Sequence, residues 1–327
     1  MKTICRTLVL TLGLVLAAPA APAADTPGTP DTADLRPALT PGQTTRYEFW
    51  NRIQQSATVA LAGRQRTQDS SLEIVGEVTW TVRDAPPDGS STCSMTLDWM
   101  SLTNRPAGQP EQVIDSRRPA SPDTEIMHEL ITAMAGVTLT VTLGPDGEVT
   151  NLTGLDRMNP KTTRPELLPS DLDFRETASD LAALAKAPPG TAAAHGNVAV
   201  GTTWDADFRW DHDLGQVDQD WTYTLEAVED LAGVPVAVVT GTADLSLDPD
   251  PDAAGQLPPG TPAPRIRMLD GRATTRVLYD LTRREAVGRH STAAETVEVR
   301  LQLPDGNTFT RTLTETLTGQ VLRLSED

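Results

Sequence analysis

Val137-Thr138-Leu139-Thr140-Val141-Thr142-Leu143 places an apolar residue at every odd position and threonine at every even one. Successive side chains of an extended strand point to opposite faces, so this stretch has one dry face and one wet face. The same period of two recurs outward in both directions. Ile74, Val78, Trp80 and Val82 alternate with Glu73, Glu77, Thr79 and Arg83, and Trp204, Ala206, Phe208 and Trp210 alternate with Asp205, Asp207, Arg209 and Asp211. Trp221, Tyr223, Leu225 and Ala227 follow, then Val297, Val299, Leu301 and Leu303. Half-buried antiparallel strands are therefore the main element. Pro145-Asp146-Gly147 and Pro304-Asp305-Gly306 each separate two alternating runs and read as hairpin turns.

Two segments break the alternation. Ser121-Pro122-Asp123 reads as a helix start, with Ser121 as cap and Pro122 in the first turn; Ile126, Met127, Leu130, Ile131 and Met134 then recur at helical spacing until Gly136. This predicts a helix over 122–135. A second helix is expected from about Asp171 to Lys186, before Pro188. Gly42-x-Thr44-x-x-x-x-Phe49 matches Gly201-x-Thr203-x-x-x-x-Phe208, and each half later supplies an Asp after an apolar strand, Asp115 and Asp280. The chain accordingly reads as two β-meander halves, 41–155 and 200–327, joined by a helical connector over 156–199. The Pro- and Asp-rich stretch 248–264 is expected to be a loop, and residues 24–40, broken by Pro27, Pro30 and Pro37, an extended arm.

Residues 1–23 read as a secretory signal peptide: Lys2 and Arg6 precede an apolar run from Leu8 to Ala18, and Ala21-Pro22-Ala23 offers a small-x-small cleavage site. That run is too short to span a bilayer, and no other takes its place, so a soluble periplasmic or extracellular protein is expected. The chain has 327 residues with 27 Lys and Arg against 45 Asp and Glu; losing Lys2 and Arg6 leaves 25 against 45, a formal charge of −20. Such an excess of carboxylates repels a phosphate backbone and excludes nucleic acid as a partner class. Of two cysteines, Cys5 leaves with the signal. Cys93 alternates in phase with Met95, Leu97 and Trp99 and reads as an inert core thiol.

The search for chemistry finds near-misses. His128-Glu129-Leu130-Ile131-Thr132 has Thr132 where a zinc-protease helix needs its second histidine, which leaves His128 as a surface residue. His212 lies between Asp211 and Asp213, but strand neighbours point apart and do not form one ligand set. Asp248-x-Asp250-x-Asp252 is stiffened by Pro249 and Pro251 and lacks the closing Glu of a calcium loop. There is no nucleophile elbow, P-loop or dinucleotide fingerprint. No catalytic residue, metal or cofactor is assigned.

Gly42-Gln43-Thr44-Thr45-Arg46-Tyr47, Asp115-Ser116, Gly144-Pro145-Asp146-Gly147-Glu148-Val149, Gly154-Leu155 and Val200-Gly201-Thr202-Thr203-Trp204 follow the order found in an uncharacterised family of exported bacterial proteins. That family is similar in layout to half-barrel lipoprotein carriers, whose bent sheet and helices hold acyl chains. The fold expected is mainly β, a curved antiparallel sheet or half-barrel of two meander halves with two short covering helices. The resembled family has no assigned activity; one-faced strands, covering helices and export point to a non-catalytic protein that binds a lipid, acyl chain or lipoprotein segment in an apolar concavity. A structural or protein-interaction module of the cell envelope, and more remotely a hydrolase, are the competing readings. The expected partner is an apolar ligand or an envelope protein. Candidate pocket-lining residues are Trp80, Trp99, Trp204, Phe208, Trp210, Trp221, Tyr223, Ile126, Leu130 and Met134.

Overall fold

The computed structural model describes residues 31–36, 39–87, 89–144, 149–154, 196–212, 214–250, 263–303 and 306–324, with the backbone alone for 210–212. The signal peptide, the second expected helix, and the turns at 145–148 and 304–305 lie outside the described residues.

Fourteen strands and one helix follow in chain order: β1 (Thr32–Asp34), β2 (Thr44–Leu61), β3 (Arg64–Asp84), β4 (Ser91–Arg105), β5 (Gln112–Asp115), α1 (Glu125–Met134), β6 (Thr138–Leu143), β7 (Val149–Thr153), β8 (Asn197–Ala199), β9 (Thr203–His212), β10 (Gly215–Leu231), β11 (Val234–Pro249), β12 (Arg265–Asp280), β13 (Glu285–Gln302) and β14 (Thr308–Arg323). Twelve strands form one antiparallel sheet in the order β7-β6-β4-β3-β2-β14-β13-β12-β11-β10-β9, with β5 added to β4. Its ends, β7 and β9, are not paired to each other, so the sheet stays open. The two halves read from the sequence meet where β2, the first long strand, pairs with β14, the last.

The register puts one apolar face along the whole sheet. Tyr47, Phe49 and Ile53 of β2 share it with Ile74, Val78 and Trp80 of β3, Leu317 and Val321 of β14, and Val239, Trp221 and Tyr223 further along. Leu139, Val141 and Leu143 are buried on it, and the threonines between them face away. Strands of this length twist, so the sheet coils around its apolar face rather than lying flat.

Two different covers sit on that face. Ile131 and Met134 of α1 join the core of the first half. Ala33 and Leu35 on and beside β1, with Val198 of β8, join the core of the second. The arm expected over 24–40 is therefore ordered from Asp31 to Arg36. Thr32–Asp34 pairs antiparallel with β8, Leu35 is fully buried, and Asp34 forms an ion pair with Arg284 at 3.0 Å. The alternation there is only three residues long, too short to stand out beside three prolines. Of the two expected covering helices, only α1 is described. It begins at Glu125, later than Pro122: Ser121 spends its hydroxyl on Thr124 Oγ1 at 2.7 Å instead of capping the helix amides. Gly136 ends it as expected, at φ +79° with its N–H donated to the Leu97 carbonyl.

Two pairs of positions matched in the sequence share a local backbone geometry. Gly42 and Gly201 both have φ +86°. The Gly42 N–H donates to Val82 O at 2.8 Å and the Val82 N–H returns to Gln43 O; Gly201 N–H donates to Leu225 O at 2.7 Å and Leu225 N–H returns to Thr202 O. Asp115 and Asp280 are likewise matched. Each is buried at a strand end, accepts backbone N–H groups of the following turn, and faces arginine: Arg117 for the first, Arg323 for the second. Burial opposes the charge on Asp280, but the Arg283 and Thr282 amides and the Arg323 guanidinium outweigh it and hold the carboxyl below its ordinary range.

Two bulges interrupt the phase read from the sequence. Between Glu77–Trp99 and Val78–Leu97 the ladder skips Asp98, so Trp99 turns to the face opposite Leu97. The second, at Glu226, gives the buried position expected for Ala227 to Val228 instead. One extra residue shifts every later side chain by one face.

Candidate ligand-binding face

The ten expected lining residues do not form one pocket. Trp80 and Met134 belong to the core of the first half, and Trp204, Trp221 and Tyr223 to the core of the second. Leu130 is buried beneath α1, and Ile126 is half-buried at its start. Phe208 shares the face of Trp204 but is 37% exposed, because β9 is an edge strand with a partner on one side only. The side chain of Trp210 lies outside the described residues. Trp99 is a correction: the bulge puts it on the opposite face, where its ring stacks under the Arg117 guanidinium at 3.7 Å and its Nε1 donates to Glu77 at 3.3 Å. Cys93 keeps to the core, and burial, partly offset by Ser91, pushes its thiol up to about 11.

The aromatic residues of the second half form a continuous stack. Tyr223 lies between Trp204, with ring centroids 5.8 Å apart, and Trp221, at 5.4 Å, both within 15° of parallel. Alternation on adjacent antiparallel strands brings them together, since Trp204 is directly opposite Tyr223 in the β9–β10 register. Tyr223 leans over Gly241, where an added Cβ would meet its ring at 2.7 Å. Its phenol is pushed up to about 12 by burial, against the pull of Arg289.

From Tyr223 toward β2 the same face carries a row of small residues: Gly241 of β11, Thr275 of β12, Ser291 of β13 and Gly319 of β14, ending at Asn51 of β2. All are buried, and Ser291 donates to Thr275 at 2.8 Å. This row crosses both apolar clusters: Gly241 and Thr275 lie among Val239, Ala243, Ala273 and Val277 of one, and Gly319 lies between Leu317 and Val321 of the other; the two clusters share only the half-buried Ala293 at their margins among the described residues. On the β2 side of the row, three buried polar atoms have no hydrogen-bond partner: Tyr47 Oη, Asn51 Oδ1 and Trp80 Nε1. Buried polar groups are nearly always paired, and each exception costs about 1–3 kcal/mol. Together they supply two donors and an acceptor on an apolar face. Asn51 was legible as a polar residue in the buried phase of Tyr47-x-Phe49-x-Asn51-x-Ile53 and went unread. Tyr47 gave no such signal, because a tyrosine in that phase looks like ordinary core.

The histidines do not converge on this face. His128 is half-buried, its ring bonded to the Arg118 carbonyl, and His290 stands on the opposite face. Among the described residues no three His, Cys, Asp or Glu side chains are placed to hold a metal ion. Nor, among them, is any helix long and apolar enough to cross a membrane.

No protein-family model matches the chain, and no curated protein matches it in sequence. Solved structures with some overlap include a DUF1329 family protein from Desulfovibrio piger, at 7% identity over 81% of this chain and 83% of that one, TM-score 0.13. Two further structures overlap similarly. Pseudomonas aeruginosa OpdQ does so at 8% identity over 86% and 98%, TM-score 0.18, and the TodX monoaromatic hydrocarbon channel at 5% over 88% and 91%, TM-score 0.20. Overlaps this small establish no shared role.

Proposed function

We propose that this is an exported, non-catalytic protein that binds an acyl chain or similar apolar ligand, with one polar end, on the buried face of its sheet. The observation that carries this reading is a small-residue row that crosses from one apolar cluster into the other and ends at the orphaned Asn51 Oδ1, with two further orphaned atoms, Tyr47 Oη four residues along β2 and Trp80 Nε1 opposite Thr45, on the same face. A hydrocarbon chain lying along Gly319, Ser291, Thr275 and Gly241 gains from leaving water, at about 25 cal/mol per Å². Its carbonyl, hydroxyl or amide end satisfies donors and an acceptor that otherwise stay unpaired.

The test is Tyr47→Phe, which removes the orphaned hydroxyl and keeps the ring. In the absence of ligand the variant is expected to be more stable, by about 1–3 kcal/mol, because an unsatisfied buried group is gone. Its uptake of a fluorescent fatty acid is expected to weaken by about tenfold. Absence of uptake by the wild-type protein, or Tyr47→Phe binding unchanged, overturns the reading.

A further inference from the structure

The face of the sheet that points away from the core carries its own cluster. Arg276 of β12 and His290 of β13 are directly opposite each other, and His290 is next opposite Gln320 of β14. Arg52 of β2 lies beside this row, opposite Thr318. Directly paired residues have Cβ atoms about 4.5–5.5 Å apart; Arg52 is two strands across and two residues along from His290, about 12 Å, and three strands across from Arg276, about 16 Å in all. The cluster therefore straddles the β2–β14 seam.

Neither arginine of this cluster has an ion-pair partner among the described residues, in a protein with 45 acidic residues. Arg52 Nε, Arg276 Nε and His290 Nδ1 are all shielded from solvent with no hydrogen-bond partner. Glu73 is directly opposite Arg52, yet no ion pair joins them among the described residues. Glu226, near Arg276, accepts instead from Thr240, and Asp207, Asp220 and Asp244 of this face line up across three strands toward the β9 edge. Other arginines of the same sheet do find carboxylates: Arg46 pairs with Glu77, Arg267 with Glu298, Arg209 with Asp218. Two guanidinium groups without carboxylate partners, one on each side of an imidazole, offer long donor arms that can close on a tetrahedral oxyanion.

We infer that Arg52, Arg276 and His290 bind a phosphate-type oxyanion on the face opposite the core. The three residues are half-exposed. A rotamer change of each long side chain, a fast motion at a surface, brings its orphaned donor onto the ligand. Gln320 and the threonines Thr274, Thr292 and Thr318 floor the space between them with further hydroxyl and amide donors. The site is independent of the apolar-ligand reading, since it uses the other face of the same strands.

The source of the oxyanion is either free phosphate or a lipid headgroup, and the experiment separates them. Calorimetric titration of the full exported protein with inorganic phosphate at constant ionic strength reads the first. Co-sedimentation with phosphatidylglycerol vesicles, against phosphatidylcholine vesicles, reads the second. Saturable phosphate binding is expected, weakened about tenfold or more in Arg52→Gln and in Arg276→Gln and unchanged in Arg64→Gln, a cation at the distant β2–β3 hairpin. Binding confined to phosphatidylglycerol vesicles and lost in Arg52→Gln assigns the headgroup as the source. Failure of the wild-type protein to bind either, or equal loss in Arg64→Gln, overturns the site. The wild-type titration decides this even if a variant does not fold.

Discussion

Arg323 is the residue on which the seam between the halves turns. Its Nη1 reaches Asp280 at 3.0 Å and Glu285 at 2.8 Å, both buried, and Glu285 in turn accepts from Thr45 Oγ1 and Gln43 Nε2 of the first half. Removing one partner of a buried pair leaves the other charges uncompensated. Arg323→Met is therefore expected to lower unfolding free energy by about 3–5 kcal/mol in urea; a loss below about 1 kcal/mol would show that the network is incidental. The carboxyls also set a pH window. Asp280 and Asp115 are held below the ordinary carboxylate range, Asp115 chiefly by Arg117. A depressed folded value means that the stabilisation is present above the unfolded value, about pH 4, and is lost as pH falls through the lower folded one. Stability is expected to hold from about pH 7 to pH 5 and to decline below about pH 4, and Arg323→Met should flatten that decline.

At the level of strands and helix, the alternating pattern carries most of the architecture, and the exceptions have physical causes. The apolar phase of β3, β6, β9 and the start of β10 was legible because a half-buried strand must repeat every two residues. Trp99 and Ala227 were misread because a bulge is one inserted residue, here Asp98 and Glu226, and nothing in a local window marks it. The β1–β8 cover was hidden because its strands are three residues each and meet across about half of the chain. The candidate face was legible only in part: its aromatic side follows from alternation, whereas the orphaned atoms are a property of packing. Glycine matters where rings cross strands. A Cβ on Gly76 would stand 2.4 Å from Phe49 Cζ and 2.7 Å from the Trp99 carbonyl, whereas on Gly288 the nearest atom is Leu322 Cδ2 at 3.4 Å. Gly76→Ala is expected to cost about 1–3 kcal/mol by overpacking and Gly288→Ala well under half of that; thermal melts that rank them the other way would contradict this packing.

For the molecule as a whole, the decisive connection is the pairing of the first long strand with the last. The β2–β14 ladder runs from Tyr47–Arg323 to Leu61–Phe309, so half of the sheet is joined to the other half only after nearly the entire chain has been made. Contacts so distant in sequence slow folding, because loop closure precedes the gain from pairing. Refolding from urea is expected to take milliseconds to seconds or longer, with Arg323→Met acting at this late seam; a microsecond phase that completes the native signal would refute that order of assembly. Openness is the other property of this scale. The sheet ends at β7 and β9 without closing, and its buried face is shared between two apolar clusters rather than one. The most direct measurement is native mass spectrometry of the purified protein, followed by organic extraction and analysis of whatever is released. The account predicts a mass above that of the polypeptide, removed by extraction and identified as an amphiphile with an acyl chain. A bare polypeptide mass in repeated preparations, with no gain on incubation with fatty acid, would contradict it.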